Sequence, residues 1–103
     1  MAKIIKISRE EANRRLGDVP DEKRFWWRDG KVVKNLKELE EALNGMGDET
    51  FHHHLGGGRN DFSNWTRDVV GDNKLANDLS RAKSRIQASK AVAQRISFLQ
   101  SKI

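Results

Sequence analysis

The chain contains no cysteine, so no disulfide staples it and no thiolate zinc site organises it. That absence fits a reducing compartment. Tyrosine is missing too, and there is no Gly-x-Ser-x-Gly pattern, so no nucleophile with its base is spelled out and no catalytic residue is assigned. No run approaches the ~20 apolar residues of a membrane span. The first residues, Met1-Ala2-Lys3-Ile4-Ile5-Lys6, lack the apolar core of a signal peptide. The expectation is a cytoplasmic, non-enzymatic protein with no membrane partner, no metal and no other cofactor. Two further absences fall together near the C-terminus. Leu75 to Gln100 has neither glycine nor proline, and Leu79 to Ile103 has neither aspartate nor glutamate.

The second of these absences matters for charge. The net charge is +5 over 103 residues. The acid-free segment carries six basic residues, Arg81, Lys83, Arg85, Lys90, Arg95 and Lys102, so everything before it is close to neutral. Such asymmetry points to an anionic partner. The alternative is that cations simply suit the end of a long helix, where the backbone dipole is negative.

A chain of this length is one domain, 1–103, able to bury roughly 60–70% of its unfolded surface. Ile4, Ile5 and Ile7 suit a short extended segment. Ser8 and Glu11 have capping-box spacing, which predicts a short helix to about Leu16 with Gly17 as its stop. Pro20 fixes a turn or a new helix start. Phe25-Trp26-Trp27 and Lys31-Val32-Val33 flank Asp29-Gly30, a hairpin signal. Adjacent tryptophans on a strand face opposite ways, so one belongs to the core and the other is partly exposed. The exposed one either contacts a neighbouring helix or offers a stacking surface to a base. Asn35 caps a helix with Leu36, Leu39, Leu43 and Met46 as its buried stripe, and Gly45 and Gly47 end it. Asp48 caps a short helix that sets Phe51 and Leu55 on one side, and Gly56-Gly57-Gly58 reads as a loop.

Asn60 or Asp61 then caps a helix whose stripe is Phe62, Trp65 and Val69, with Gly71 as its stop and Asp72 capping the next. From Asn73 the pattern Leu75, Leu79, Ala82, Ile86, Ala93 and Ile96 runs on as one helix, about 40 Å long at ~1.5 Å per residue if unbroken. That is more than a small body covers. Either it breaks near Ser84 to Ser89, or its end meets another chain. Val92, Leu99 and Ile103 drift off the first stripe, and Phe98 points away from it. The fold class is therefore mainly α: four to five helices, a hairpin near Asp29-Gly30, and a long C-terminal helix.

His52-His53-His54 suggests metal ligation, but three consecutive positions fan around a helix, whereas zinc pairs need i and i+3 or i+4. The preferred reading turns His54 inward onto a carboxylate or carbonyl and leaves His52 and His53 exposed. Asp61 and Asp68 share an azimuth but lie two turns apart, which suits caps and ion pairs rather than an acid pair. His54, Asn60, Asp61 and Trp65 are read together as a structural polar cluster.

Several of these residues form a wider pattern. Phe25 with Asp29-Gly30, Leu36-x-x-Leu39-x-x-x-Leu43-x-x-Met46, Phe51-x-x-His54 and Asn60-Asp61-Phe62-x-x-Trp65-x-x-Asp68-Val69-x-Gly71-Asp72-x-x-Leu75-Ala76 resemble a family of small archaeal and bacterial domains of unknown function. The resemblance spans about residues 25–79 and implies that this block is a unit. It carries no activity across. Residues 1–24 and the basic helix of 80–103 lie outside it.

Three functional expectations follow. The first is non-catalytic binding of nucleic acid or a ribonucleoprotein, by phosphate contacts from Arg81, Lys83, Arg85, Lys90, Arg95 and Lys102. The second is interaction with another protein chain, or homo-oligomer formation, through Val92, Ile96, Phe98 and Leu99. The third is a small-ligand or metal sensor around His54 and Asp61.

Overall fold

The computed structural model describes residues 7–27 and 30–103. Helix α1 (Arg9–Leu16) begins where the Ser8 hydroxyl accepts from the Glu11 N–H at 3.1 Å. After a 3₁₀ turn at Asp21–Lys23 come strands β1 (Phe25–Trp27) and β2 (Lys31–Val33), paired antiparallel with Trp26 opposite Val32. Asp29 of the expected turn lies outside the described residues, as do Ile4 and Ile5. Helices α2 (Leu36–Gly45) and α3 (Asp48–His53) follow. Next come a glycine turn (Gly56–Gly58), then α4 (Asp61–Trp65), which opens into a π turn over Thr66–Val70. Helices α5 (Asn73–Arg81) and α6 (Arg85–Gln100) complete the chain. The mainly helical class with a small hairpin and a long last helix is as expected, with six helices among the described residues instead of four to five.

The local reasons are mostly caps. Asn35 accepts from the Glu38 N–H while the Glu38 carboxylate accepts from the Lys34 N–H, so the start of α2 is bonded from both sides. Asn60, not Asp61, caps α4 through Ser63 N–H, and Asp72 caps α5 through Leu75 N–H. Asp48 is the first residue of α3 rather than its cap; Gly47 stands at the cap with no side chain to offer, and the Asp48 carboxylate meets Arg85 instead. Gly71 ends the π turn at φ 81, a left-handed angle that only glycine adopts cheaply.

One core unites these elements. Leu36, Leu39, Leu43 and Met46 of α2 meet Val92, Ile96 and Leu99 of α6, with Leu75 and Leu79 of α5 alongside. At the hairpin end, Phe62 stacks between Phe25 and Phe51, 5.4 Å from each, and Trp65 meets the edge of Phe25 at 5.9 Å. Strand alternation makes Phe25 the deep residue, leaves Trp27 half-buried beside the core, and turns Trp26 outward at 67% exposure.

Of the two alternatives for the last stripe, a break near Ser84 to Ser89 or an end that meets another chain, the structure takes the break, just before Ser84. Ala82 takes an extended conformation and Ser84 restarts the helix by accepting from Gln87 N–H, while the Gln87 side chain accepts from Lys83 N–H at 2.7 Å. This reciprocal box resets the phase of the stripe. Ile86 is consequently exposed, and the buried face of α6 becomes Ala88, Ser89, Val92, Ile96 and Leu99. The last helix folds back along α2, α1 and α5 rather than projecting. No helix among the described residues is long and apolar enough to cross a membrane.

Candidate functional site

The six basic residues of the acid-free segment divide by what they touch. Arg85 lies at the start of α6 but serves the end of α2: Nη1 donates to the Leu43 carbonyl at 2.8 Å and to that of Asn44 at 3.3 Å, and Nε pairs with Asp48 at 3.1 Å. A guanidinium there satisfies carbonyls that the helix leaves without partners and meets the negative end of its dipole. Arg95 points inward, its Nε 2.9 Å from Asp72, whose side chain is fully buried. These two arginines hold the fold together and are withdrawn from the phosphate-contact set. The break puts Arg81 at the end of α5 and leaves Arg85 and Arg95 on α6. Arg81, Lys83, Lys90 and Lys102 are exposed. Lys102 lies 5.0 Å from the Phe98 ring, whereas Arg81, Lys83 and Lys90 join no ion pair among the described residues.

Asp72 is the electrostatic centre that sequence reading recognised only as a cap. Its carboxylate accepts from Leu75 N–H at 2.8 Å, from Arg15 at 3.0 Å and from Arg95 at 2.9 Å. Burial pushes this carboxyl up, but the Leu75 N–H and the Arg95 and Arg15 guanidiniums outweigh it and hold the pKa below the ordinary aspartate value. Arg15 also pairs with Glu11, whose pKa is lowered to about 2 by Arg14 first and Arg15 second. Nothing in the local pattern around Arg15 or Arg95 announces a partner 57 or 23 residues away. The available signal was Asp72 itself, a cap immediately after an apolar helix and therefore placed to be buried.

The polar cluster assembles as a set of ties between elements. His54 Nδ1 lies 2.9 Å from the Asp61 carboxylate, and Asp61 N–H donates back to the His54 carbonyl at 3.0 Å, closing the glycine turn. Asn60 also donates to the Leu79 carbonyl, Ser63 to the Ala76 carbonyl, and the Trp65 indole N–H to the Lys23 carbonyl at 2.8 Å. His54 is wedged between Phe25 and Phe62, while His52 and His53 are exposed. Among the described residues no group of three or more His, Cys, Asp or Glu side chains is placed to hold a metal ion. Asp68 pairs with Arg67 at the surface.

The apolar set is corrected. Val92, Ile96 and Leu99 are core side chains, because the break shifts the α6 stripe onto them; only Phe98, 40% exposed, remains outside. Phe98 carries the Arg95 guanidinium 4.8 Å from its ring and borders a groove of about 510 Å³ with Ile7, Lys74, Asp78, Ala91, Gln94 and Arg95. Comparison of the chain with protein-family models, curated proteins and solved structures finds no match in any of the three.

Proposed function

We propose that the protein is a non-catalytic binding module whose C-terminal quarter meets nucleic acid or a ribonucleoprotein through phosphates. The observation that carries this reading is that Arg81, Lys83 and Lys90 are exposed and unpaired among the described residues, in a segment that brings no acid of its own. Cations not already neutralised release counterions from a phosphate backbone when they bind it, and they read no sequence in doing so. Self-association through α6 has the weaker support, since it retains Phe98 alone of its four side chains.

Three phosphate contacts imply a log–log salt slope of about −2.7 on duplex DNA, or roughly a 40-fold loss of affinity between 50 and 200 mM salt. Fluorescence anisotropy with labelled single- and double-stranded oligonucleotides of unrelated sequence measures this. The triple variant Arg81→Glu/Lys83→Glu/Lys90→Glu, confined to exposed positions, should fold normally and lose binding. Trp26→Ala in the same assay reads any base stacking, worth about 1–3 kcal/mol per base. Absence of binding at 50 mM salt, a slope near zero, or a triple variant that binds like the parent refutes the proposal.

A further inference from the structure

The groove between α5 and α6 combines features that the phosphate reading does not use, and none of Arg81, Lys83 and Lys90 lines it. Its volume of about 510 Å³ lies within the roughly 300–1,000 Å³ range of small-molecule sites. Ile7, Ala91 and Phe98 give it apolar walls. A smaller hollow of about 170 Å³ shares Ile7, Lys74 and Arg95 with it and adds Arg15, Gly71 and Asn73.

The charge around these two hollows does not balance. One buried carboxylate, Asp72, is shared by two guanidiniums, Arg15 and Arg95. Including the neighbouring pairs, Arg14, Arg15 and Arg95 face Glu11 and Asp72, which leaves one positive charge over. Lys74 and Asp78 pair across the rim and cancel, and Lys102 adds a cation beside Phe98. Arg95 is held in place by the bond from its Nε to Asp72 and by the Phe98 ring, so its orientation is set in advance. Its terminal nitrogens donate to no described residue, and Arg95 lines both hollows. A guanidinium fork held this way suits a planar carboxylate.

We infer that this groove binds a small molecule with an apolar body and a carboxylate, the body against Ala91, Phe98 and Ile7 and the carboxylate on the Arg95 fork beside Lys74. Such a ligand supplies the missing negative charge and covers the 40% of Phe98 that solvent otherwise reaches. The site is independent of the phosphate contacts proposed above.

The test uses the full chain, ¹⁵N-labelled, titrated with octanoate and 2-naphthoate and separately with octanamide and 2-naphthamide. The acids should give saturable shifts at the amides of Lys74, Ala91, Gln94 and Phe98. The neutral amides should bind at least roughly tenfold more weakly, since hydrogen bonds to a charged partner are the stronger class. Ala91→Trp fills the groove from its wall and should abolish the shifts. Gln94→Trp closes it from the solvent side and serves if the first variant folds poorly. No shift with either acid at millimolar concentration overturns the proposal. Amides that bind as tightly as acids overturn the role given to Arg95, and shifts that survive in a folded groove-filling variant place the binding elsewhere.

Discussion

Replacing Arg95 by methionine separates a structural arginine from a surface one. Methionine keeps much of the apolar stem but strands one side of Asp72, a carboxylate with no exposed surface. Removing one partner of a buried ion pair costs about 3–5 kcal/mol. Here Arg15 and the Leu75 N–H remain on the carboxylate, so the low end, about 3 kcal/mol, is expected. For a domain of this size that lowers the melting temperature by roughly 12–24 °C. The pH dependence identifies the cause. The folded-state pKa of Asp72 lies below its ordinary value. Its carboxylate therefore stabilises the fold above the unfolded-chain pKa of about 4, and that contribution is lost as pH falls through the lower folded value. Loss of Arg95 raises the folded value, so the two proteins should differ most near neutrality and converge in acid. Urea melts of parent and variant at neutral pH and near pH 3 measure this. A variant as stable as its parent, or a difference unchanged in acid, would refute the assignment of Arg95 to Asp72.

Three further outcomes are expected. Trp65→Ala should cost about 3–5 kcal/mol, because it empties a buried aromatic site and orphans the Lys23 carbonyl; an unchanged urea midpoint would place Trp65 outside the core. Deleting residues 88–103 should abolish cooperative unfolding by calorimetry, since Ala88, Val92, Ile96 and Leu99 leave the core together; a truncated chain that melts like the full one would contradict the docking of α6. Glu11 should titrate by NMR near its lowered value of about 2, so its support for α1 is lost between the ordinary 4.5 and about 2; a midpoint near 4.5 would mean that Arg14 and Arg15 do not hold it.

What the sequence makes legible is local. Ser8, Asn35, Asn60 and Asp72 each accept from a backbone N–H three residues on, and that chemistry is written in consecutive residues. The stripe of α2 and the inward turn of His54 onto Asp61 belong to the same class, since helical periodicity decides them. Glu11 shows the limit. Its spacing from Ser8 suits a reciprocal box, yet its carboxylate turns to Arg14 and Arg15, because two guanidiniums on the same helix compete better than one backbone N–H. The break before α6 was legible as one of two alternatives, from a stripe too long for the body to cover; the box at Ser84 and Gln87 that makes it is not signalled by glycine or proline. A helix interrupted by a capping box needs neither.

The charge asymmetry fails as a guide for a different reason: composition counts charges and is blind to their direction. The acid-free quarter reads as a cationic arm while it is considered alone. In the fold, its acids are supplied by other elements. Asp48 at the start of α3 receives Arg85, and Asp72 at the start of α5 receives Arg95. Both carboxylates stand at helix starts, where a negative charge is favoured by the dipole before any arginine arrives. Each arginine therefore answers a charge that its own segment does not contain, and α6 is fastened to the body at two points along its length. The apolar drift has the same origin. Val92 and Leu99 lie off the earlier stripe because the box at Ser84 turns the helix to present them to α2, and the two arginines hold it in that rotation. Arg81, Lys83 and Lys90 meet no such acid among the described residues, which is why the case for an anionic partner rests on them and not on the segment's total charge.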